Sequence, residues 1–246
     1  MAATETSPAA ILFEYDLEMC GGAGEMAGAD EVGRGCLAGP IVAAAVTLDY
    51  SRLDIETLAA TLKGLGDSKK LTAVARKRLY PLILRNISRF SVISYSSRTI
   101  DECGLHKTNL RVLARSLESL EPCPKTALVD GRQQLPDCQV EHQAITKGDT
   151  KSACIAAASI VAKVIRDRLM LKLHEQYPEY GFSRHMGYGS LDHREAIAAH
   201  GYSPQHRRSF NVTLPRISET LFEDGEAQTP RDTTAQGKTI LRSDHG

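Results

Sequence analysis

No C-x-x-C pair occurs among the six cysteines, at 20, 36, 103, 123, 138 and 154, and their spacing frames no zinc site. Reduced thiols in a cytoplasm are the simplest account. Net charge is missing as well: thirty basic and thirty acidic residues cancel, so the overall balance points to neither a nucleic acid nor an acidic partner. The opening stretch MAATETSPAAILFEYDLEMC has no basic n-region and no apolar core long enough for export, and no later apolar run approaches a membrane span. The expectation is a cytoplasmic chain, a monomer, with no membrane partner. Neither repeat nor linker divides the 246 residues, and 42% hydrophobic content is enough for an ordinary core, so one main domain is expected.

What is present is unevenly spread. Residues 147–208 hold ten Lys or Arg against six Asp or Glu, and five of the eight histidines. That excess suits a phosphate-bearing ligand, although a mixed, solvated helix surface gives the same count. Residues 1–25 read as a mobile N-terminal extension, and residues 213–246 as a disordered tail, polar, turn-rich and without apolar periodicity.

Between the ends, residues 26–30 and the run IVAAAVTLD, 41–49, read as two strands joined through a glycine turn. Thr72 is a helix N-cap, with Pro81 expected to kink or divide the helix that follows. FSVISYSSR, 90–98, alternates as a strand should. Leu105, Leu110, Leu113, Leu117 and Leu120 recur at helical spacing. TALVDG, 126–131, and CQVEHQAIT, 138–146, read as strands. From Thr150 to about Tyr177 runs the longest helical signal, apolar on most sides in SACIAAASIVAK and so expected to be buried against a sheet. Ser190 or Asp192 caps a shorter helix ending before Gly201, and Ser203 with Pro204 opens another. Strands early and long helices late give an α/β fold, a helix-covered sheet with a small helical end piece.

Four acids fall at strand exits or strand-to-helix junctions in this reading. Asp30 and Glu31 close the first strand, Asp130 closes TALVD, and Asp149 sits in KGDTKS. Ligand sites of open α/β sheets gather at such places, although each acid alone is a cap or turn residue, and Asp149 is an especially good N-cap candidate. Grouped, the four would repel unless a hard, oxygen-preferring cation such as Mg²⁺ or Mn²⁺ neutralised them. Two such ions would suit phosphodiester hydrolysis without a protein nucleophile. Neighbours in a regular strand point to opposite faces, so the strand is expected to end or bulge at Glu31.

Together GADEVGRGCLAGP, GLGDSKKLT, DGRQQLPD, KGDTKSACIAAASIVAKVIRDRLM and GYGSLDHREAIAAHGYSPQHRRSF resemble the bacterial ribonuclease HII family, over about residues 26–212. The resemblance implies a ribonuclease H-like fold with a central mixed sheet, flanking helices and a C-terminal helical region from about residue 178. It implies an endonuclease that hydrolyses RNA in RNA/DNA hybrids and nicks 5′ of single ribonucleotides in duplex DNA, giving 5′-phosphate and 3′-hydroxyl ends. Asp30, Glu31, Asp130 and Asp149 match the family's metal-binding carboxylates. Gly33, Arg34 and Gly35 match the segment that meets the ribose 2′-hydroxyl through bare backbone. Tyr188 matches the tyrosine that packs on the following sugar; read alone, it is an ordinary core tyrosine. Lys69, Lys70, Lys147, Arg184 and His185 are expected to neutralise phosphates, or singly to be plain surface charge, with Arg207 and Arg208 as DNA contacts or helix-end charges. Ser159, Lys163 and Asp167 share one helix face as structural polar contacts. Two rivals remain: a non-catalytic hybrid-binding module, and a nucleotide-binding enzyme using GGAGEMAG, which lacks the dinucleotide fingerprint and precedes a strand instead of following one.

Overall fold

The run IVAAAVTLD becomes the centre of the protein because both of its faces are covered. It forms β2 (Ile41–Asp49), eight of whose nine residues are buried. β2 pairs antiparallel with β1 (Glu25–Val32) on one side and β3 (Arg89–Tyr95) on the other. β4 (Thr126–Asp130) runs parallel to β1, and β5 (Glu141–Ile145) parallel to β4. The order β3-β2-β1-β4-β5 makes a five-stranded mixed sheet. The computed structural model describes residues 7–22, 24–66 and 71–215. The described residues form one compact unit.

Helices take the two faces according to the strand pleat. α6 (Ala153–Gln176) covers one face with help from α1 (Pro8–Met19), α2 (Ile55–Thr61) and α3 (Ala73–Asn86), over Met26, Ala44, Val46, Leu48 and Leu128. α5 (Leu105–Glu118) and α4 (Ser97–Cys103) cover the other, over Ala27, Ala29, Ala43, Ala45 and Val129. Alanines in the first turns of α6 let its backbone come close to β1, and an added Cβ at Gly28 would lie 2.5 Å from backbone atoms of Cys154 and Ile155. A small third cluster joins Ala38, Met170, Tyr180 and Phe182 beside α7 (Phe182–His185) and α8 (Leu191–His200).

Several elements depart from the sequence expectation. Residues 8–19, placed in a mobile extension, form α1: Ser7 caps it, accepting from the Ala10 N–H at 3.2 Å, and Leu12, Phe13 and Asp16 bury one face. The strand from Phe90 stops at Tyr95 because Ser96 caps α4 through the Thr99 N–H. Pro81 sits inside one undivided α3. Asp149 caps no helix: Ser152 caps α6 through the Ile155 N–H, and Asp149 lies in a 3₁₀ turn, Gly148–Thr150. Ser203 and Pro204 start no helix, because His206 takes the Ser203 N–H and hydroxyl while Gln205 and Arg207 pair with the 33–40 loop. Of the tail expected over residues 213–246, everything beyond residue 215 lies outside the described residues.

Asp16 explains why α1 docks. Its buried Oδ2 accepts from the Tyr50 hydroxyl at 2.9 Å and from the Cys154 N–H at 2.8 Å, placing a carboxylate at the N-terminus of α6. Burial pushes the carboxyl up from its usual range, while hydrogen bonds from Ser152, Cys154 and Tyr50 pull it back. Asp16→Ala would strand the buried Tyr50 hydroxyl and Cys154 N–H, at about 1 kcal/mol or more each, and remove the Ser152 contact. A fall in Tm of about 4–8 °C is expected, to be checked by circular dichroism melts.

Candidate active site

Three parallel strands, β1, β4 and β5, leave the sheet on the same side, and this alone gathers acids distant in sequence. Asp30 and Glu31 lie near the end of β1, Asp130 ends β4, and Asp149 follows β5 by four residues. Asp30, Glu31 and Asp130 line one cleft of about 320 Å³ together with Gly33, Arg34, Gly35, Ser159, Lys163 and Tyr188. β1 neither ends nor bulges at Glu31, since Asp30 and Glu31 stay in register with Ala44 and Ala43. Asp30 is on the α6 side and Glu31 on the α5 side. Both reach the cleft because it opens across the edge where the strands end.

Asp30 is buried, and burial, then the carboxylates of Glu31 and Asp130, push it well above the usual carboxylate range. The Ser159 hydroxyl and the Glu31 N–H, the latter at 2.7 Å, oppose that rise. Asp130 Oδ1 accepts from the Gly148 N–H at 2.7 Å, tying the end of β4 to the turn that carries Asp149. Asp149 is buried in that turn and lines neither this cleft nor its neighbour.

The 33–40 loop forms the opposite wall. Gly33 has φ of +96°, and a Cβ there would run into Arg166 Nε and lie 2.8 Å from the Pro40 carbonyl. An added Cβ at Gly35 would meet nothing within 4 Å, so its bare backbone faces open space. Arg34, exposed, reaches Glu31 at 3.5 Å. Tyr188 stands at the rim, 42% exposed; its hydroxyl is hydrogen-bonded to the Cys36 thiol, and the Lys163 ammonium lies 5.6 Å from its ring centroid. It is not the core tyrosine that the sequence alone suggests.

The expected basic residues divide. Lys147, in a left-handed conformation, lines an adjoining cleft of about 410 Å³ with Glu31, Arg34, Asp130 and Arg132. Arg184 pairs with Asp192 at 3.5 Å and lines neither cleft. His185 is held as structure: Nδ1 accepts from the Gly187 N–H, Nε2 bonds the Tyr180 carbonyl at 2.8 Å, and burial lowers its pKa. Lys69 and Lys70 lie outside the described residues. Arg208 donates its backbone N–H to Asp101.

Two arginines of the basic stretch are buried supports instead of phosphate contacts. Arg166 donates to the carbonyls of Ala38, Pro40 and Met186 at 2.9–3.1 Å. Arg207 donates to Gly39 and Arg34 carbonyls, and burial pushes it down to about 10. Sequence reasoning passed over this role because a charge count does not separate a buried guanidinium from an exposed one.

Among the described residues no group of three or more His, Cys, Asp or Glu is placed so as to hold a metal ion. The chemistry of the cleft still fits a divalent cation: Asp30 is disfavoured as an anion by two neighbouring carboxylates, and the donors are oxygens.

A family model described as Ribonuclease HII matches residues 27–213. "Ribonuclease HII 1" of Methylibium petroleiphilum is 44% identical over 185 residues, spanning 75% of this chain and 89% of that relative. Among solved structures, ribonuclease H2 from Pyrococcus horikoshii superposes with a TM-score of 0.63 at 29% identity, covering 76% of this chain and 93% of that one. The RNase HII of a complex with PCNA from Archaeoglobus fulgidus gives 0.64 at 28%, covering 78% and 98%.

Proposed function

The chain belongs to the ribonuclease HII family, and from that membership we propose that it hydrolyses RNA in RNA/DNA hybrids and nicks 5′ of single ribonucleotides in duplex DNA. The observation that carries this is one cleft lined by Asp30, Glu31 and Asp130 on one wall, and by residues 33–35 with Tyr188 on the other. On the family pattern Asp30, Glu31 and Asp130, which line the cleft, would hold divalent ions, Mg²⁺ or Mn²⁺, two of them if Asp149 turns in from the adjoining 148–150 turn as the fourth carboxylate. Such ions supply positive charge to the reacting phosphate and make water more acidic. Ser159 orients Asp30, and the Gly148 N–H orients Asp130. The open backbone at Gly35 lets a ribose 2′-hydroxyl approach, and Tyr188 packs on the next sugar. Lys147 and Arg34 meet flanking phosphates.

The catalytic domain on this reading spans residues 26–212, its C-terminal helical part beginning at about 178, with α1 docked onto it. We place the protein in the cytoplasm as a monomer; its cysteines are free, and among the described residues no helix is long and apolar enough to cross a membrane.

A duplex carrying one ribonucleotide, incubated with Mg²⁺, with Mn²⁺ and with chelator, tests the activity. Cleavage with either ion, none with chelator, and 5′-phosphate with 3′-hydroxyl ends are expected. Binding without cleavage under every condition would favour a hybrid-binding module. Tyr188→Ala should lower kcat/KM on the lone ribonucleotide about tenfold more than on a long hybrid, which corresponds to about 1.4 kcal/mol for the lost sugar contact. Equal losses on both would remove the sugar contact from the account.

A further inference from the structure

Beyond the residues that face the cleft, one segment, with Ser203, His206 and Arg207 buried, touches both elements of its recognition wall. From residue 203 to residue 207 the chain is irregular and lies between the 33–40 loop and the loop carrying Tyr188. On one side Arg207 donates its backbone N–H to Leu37 O at 2.8 Å, Nη1 to Arg34 O at 2.8 Å, and Nε and Nη2 to Gly39 O. The Gly39 N–H returns to Gln205 O at 2.8 Å. On the other side a line of hydrogen bonds runs to the Tyr188 backbone.

That line has one consistent set of proton positions. The Ser203 N–H donates to His206 Nδ1 at 2.9 Å, so the His206 proton is on Nε2. His206 Nε2 meets His193 Nε2 at 3.1 Å, so His193 accepts there and carries its own proton on Nδ1. His193 Nδ1 then donates to Tyr188 O at 2.8 Å. Both rings are buried, and burial, helped by His185 beside His193 and by His193 beside His206, pushes each down to about 4. They stay neutral at working pH, as the line requires. Phe182 and Tyr180 pack against the rings, and His185 stacks on His193 at 4.3 Å.

We propose that residues 203–207 are a strut in which His206 and Arg207 are positioning residues. They fix how far Tyr188 stands from the backbone of residues 33–35, and so determine selectivity for the step from ribose to deoxyribose. This rests on the reading of those two elements given above. The loops also touch directly, through Leu37 and Ala38 N–H groups on Gly187 O. Those contacts act on Gly187, and the Cys36 thiol holds the tip of the Tyr188 side chain, whereas the histidine line acts on the Tyr188 carbonyl. A displacement of even about 1 Å between two reading groups is enough to change a rate by one or two orders of magnitude.

The test compares kcat/KM on a lone-ribonucleotide duplex with that on a long hybrid. His206→Phe keeps the ring volume but offers no donor to His193, and the ratio should fall about tenfold. His206→Gln restores a donor at the Nε2 position and should recover most of the ratio. His193→Gln keeps the contact with His206 but lacks the Nδ1 donor to Tyr188, and serves where His206→Phe does not fold; its ratio should fall as well. The chain has no tryptophan, so Tyr188→Trp provides a single indole whose anisotropy should drop when His206→Phe is added. A normal ratio and unchanged anisotropy in folded His206→Phe and His193→Gln, with the ratio lowered in Tyr188→Ala, overturn the strut and leave the tyrosine reading standing. An unchanged ratio in Tyr188→Ala overturns that reading and the strut with it.

Discussion

Asp30→Asn should abolish cleavage and at the same time raise the stability of the metal-free protein. Loss of activity follows from removing the central carboxylate of the cleft; a fall in kcat on the order of 10³-fold corresponds to roughly 4 kcal/mol of barrier. The gain in stability follows from Asp30's surroundings, where burial and the carboxylates of Glu31 and Asp130 disfavour its charge. An acid whose folded-state pKa is raised contributes stability fully below its unfolded value, about 3.9. It loses that contribution as pH rises through the folded-state value. Without metal, wild type should therefore lose stability relative to Asp30→Asn as pH rises above about 4. Millimolar Mg²⁺ should narrow the gap, because a cation that binds the folded cleft stabilises wild type more than the variant. Melts of both proteins across that range, with and without Mg²⁺, and single-turnover cleavage assays supply the readouts. Equal stability at every pH would mean that the three carboxylates do not strain one another.

The acids were legible because strand ends are legible. TALVD stops at Asp130 in the structure as in the sequence, and the pairing of β1 with β2 follows from two apolar runs around a glycine turn. Their convergence was harder to see, since it depends on β1, β4 and β5 running parallel, which no local pattern encodes. Buried polar residues were least legible. Asp16 looks like any surface acid of a short helix until Tyr50 and Cys154 close on it from 34 and 138 residues away. Arg166 and Arg207 likewise spend their donors on carbonyls of a loop more than 120 residues earlier. Ser203 and Pro204 carry a helix-start signal that lost to tertiary hydrogen bonds with His206 and the 33–40 loop. The Ser96 cap also shows why the expected strand overruns: Ser96 and Ser97 continue the alternation of β3 while their backbone already turns into α4.

The second large effect concerns packing beneath the cleft. Gly28 faces α6 from the middle of β1, and the atoms that its Cβ would meet at 2.5 Å include backbone atoms of Cys154 and Ile155, which cannot rotate away. Gly28→Ala must therefore lift the start of α6 from the sheet or bend β1. Overpacking of this kind costs about 3 kcal/mol, so Tm should fall by about 6–12 °C. Activity should fall even in the folded fraction, because Asp30 lies two residues along the same face and is hydrogen-bonded to Ser159 on α6. Gly35→Ala makes the opposite case. An added methyl there meets no protein atom within 4 Å, so Tm should stay within about 1 °C of wild type, while cleavage at a ribonucleotide drops because the methyl occupies the space the sugar needs. If both alanines lowered Tm and activity together, close packing at Gly28 and open backbone at Gly35 would not be separate requirements. A split outcome would show that one glycine sets how closely α6 packs and the other how closely the nucleic acid approaches.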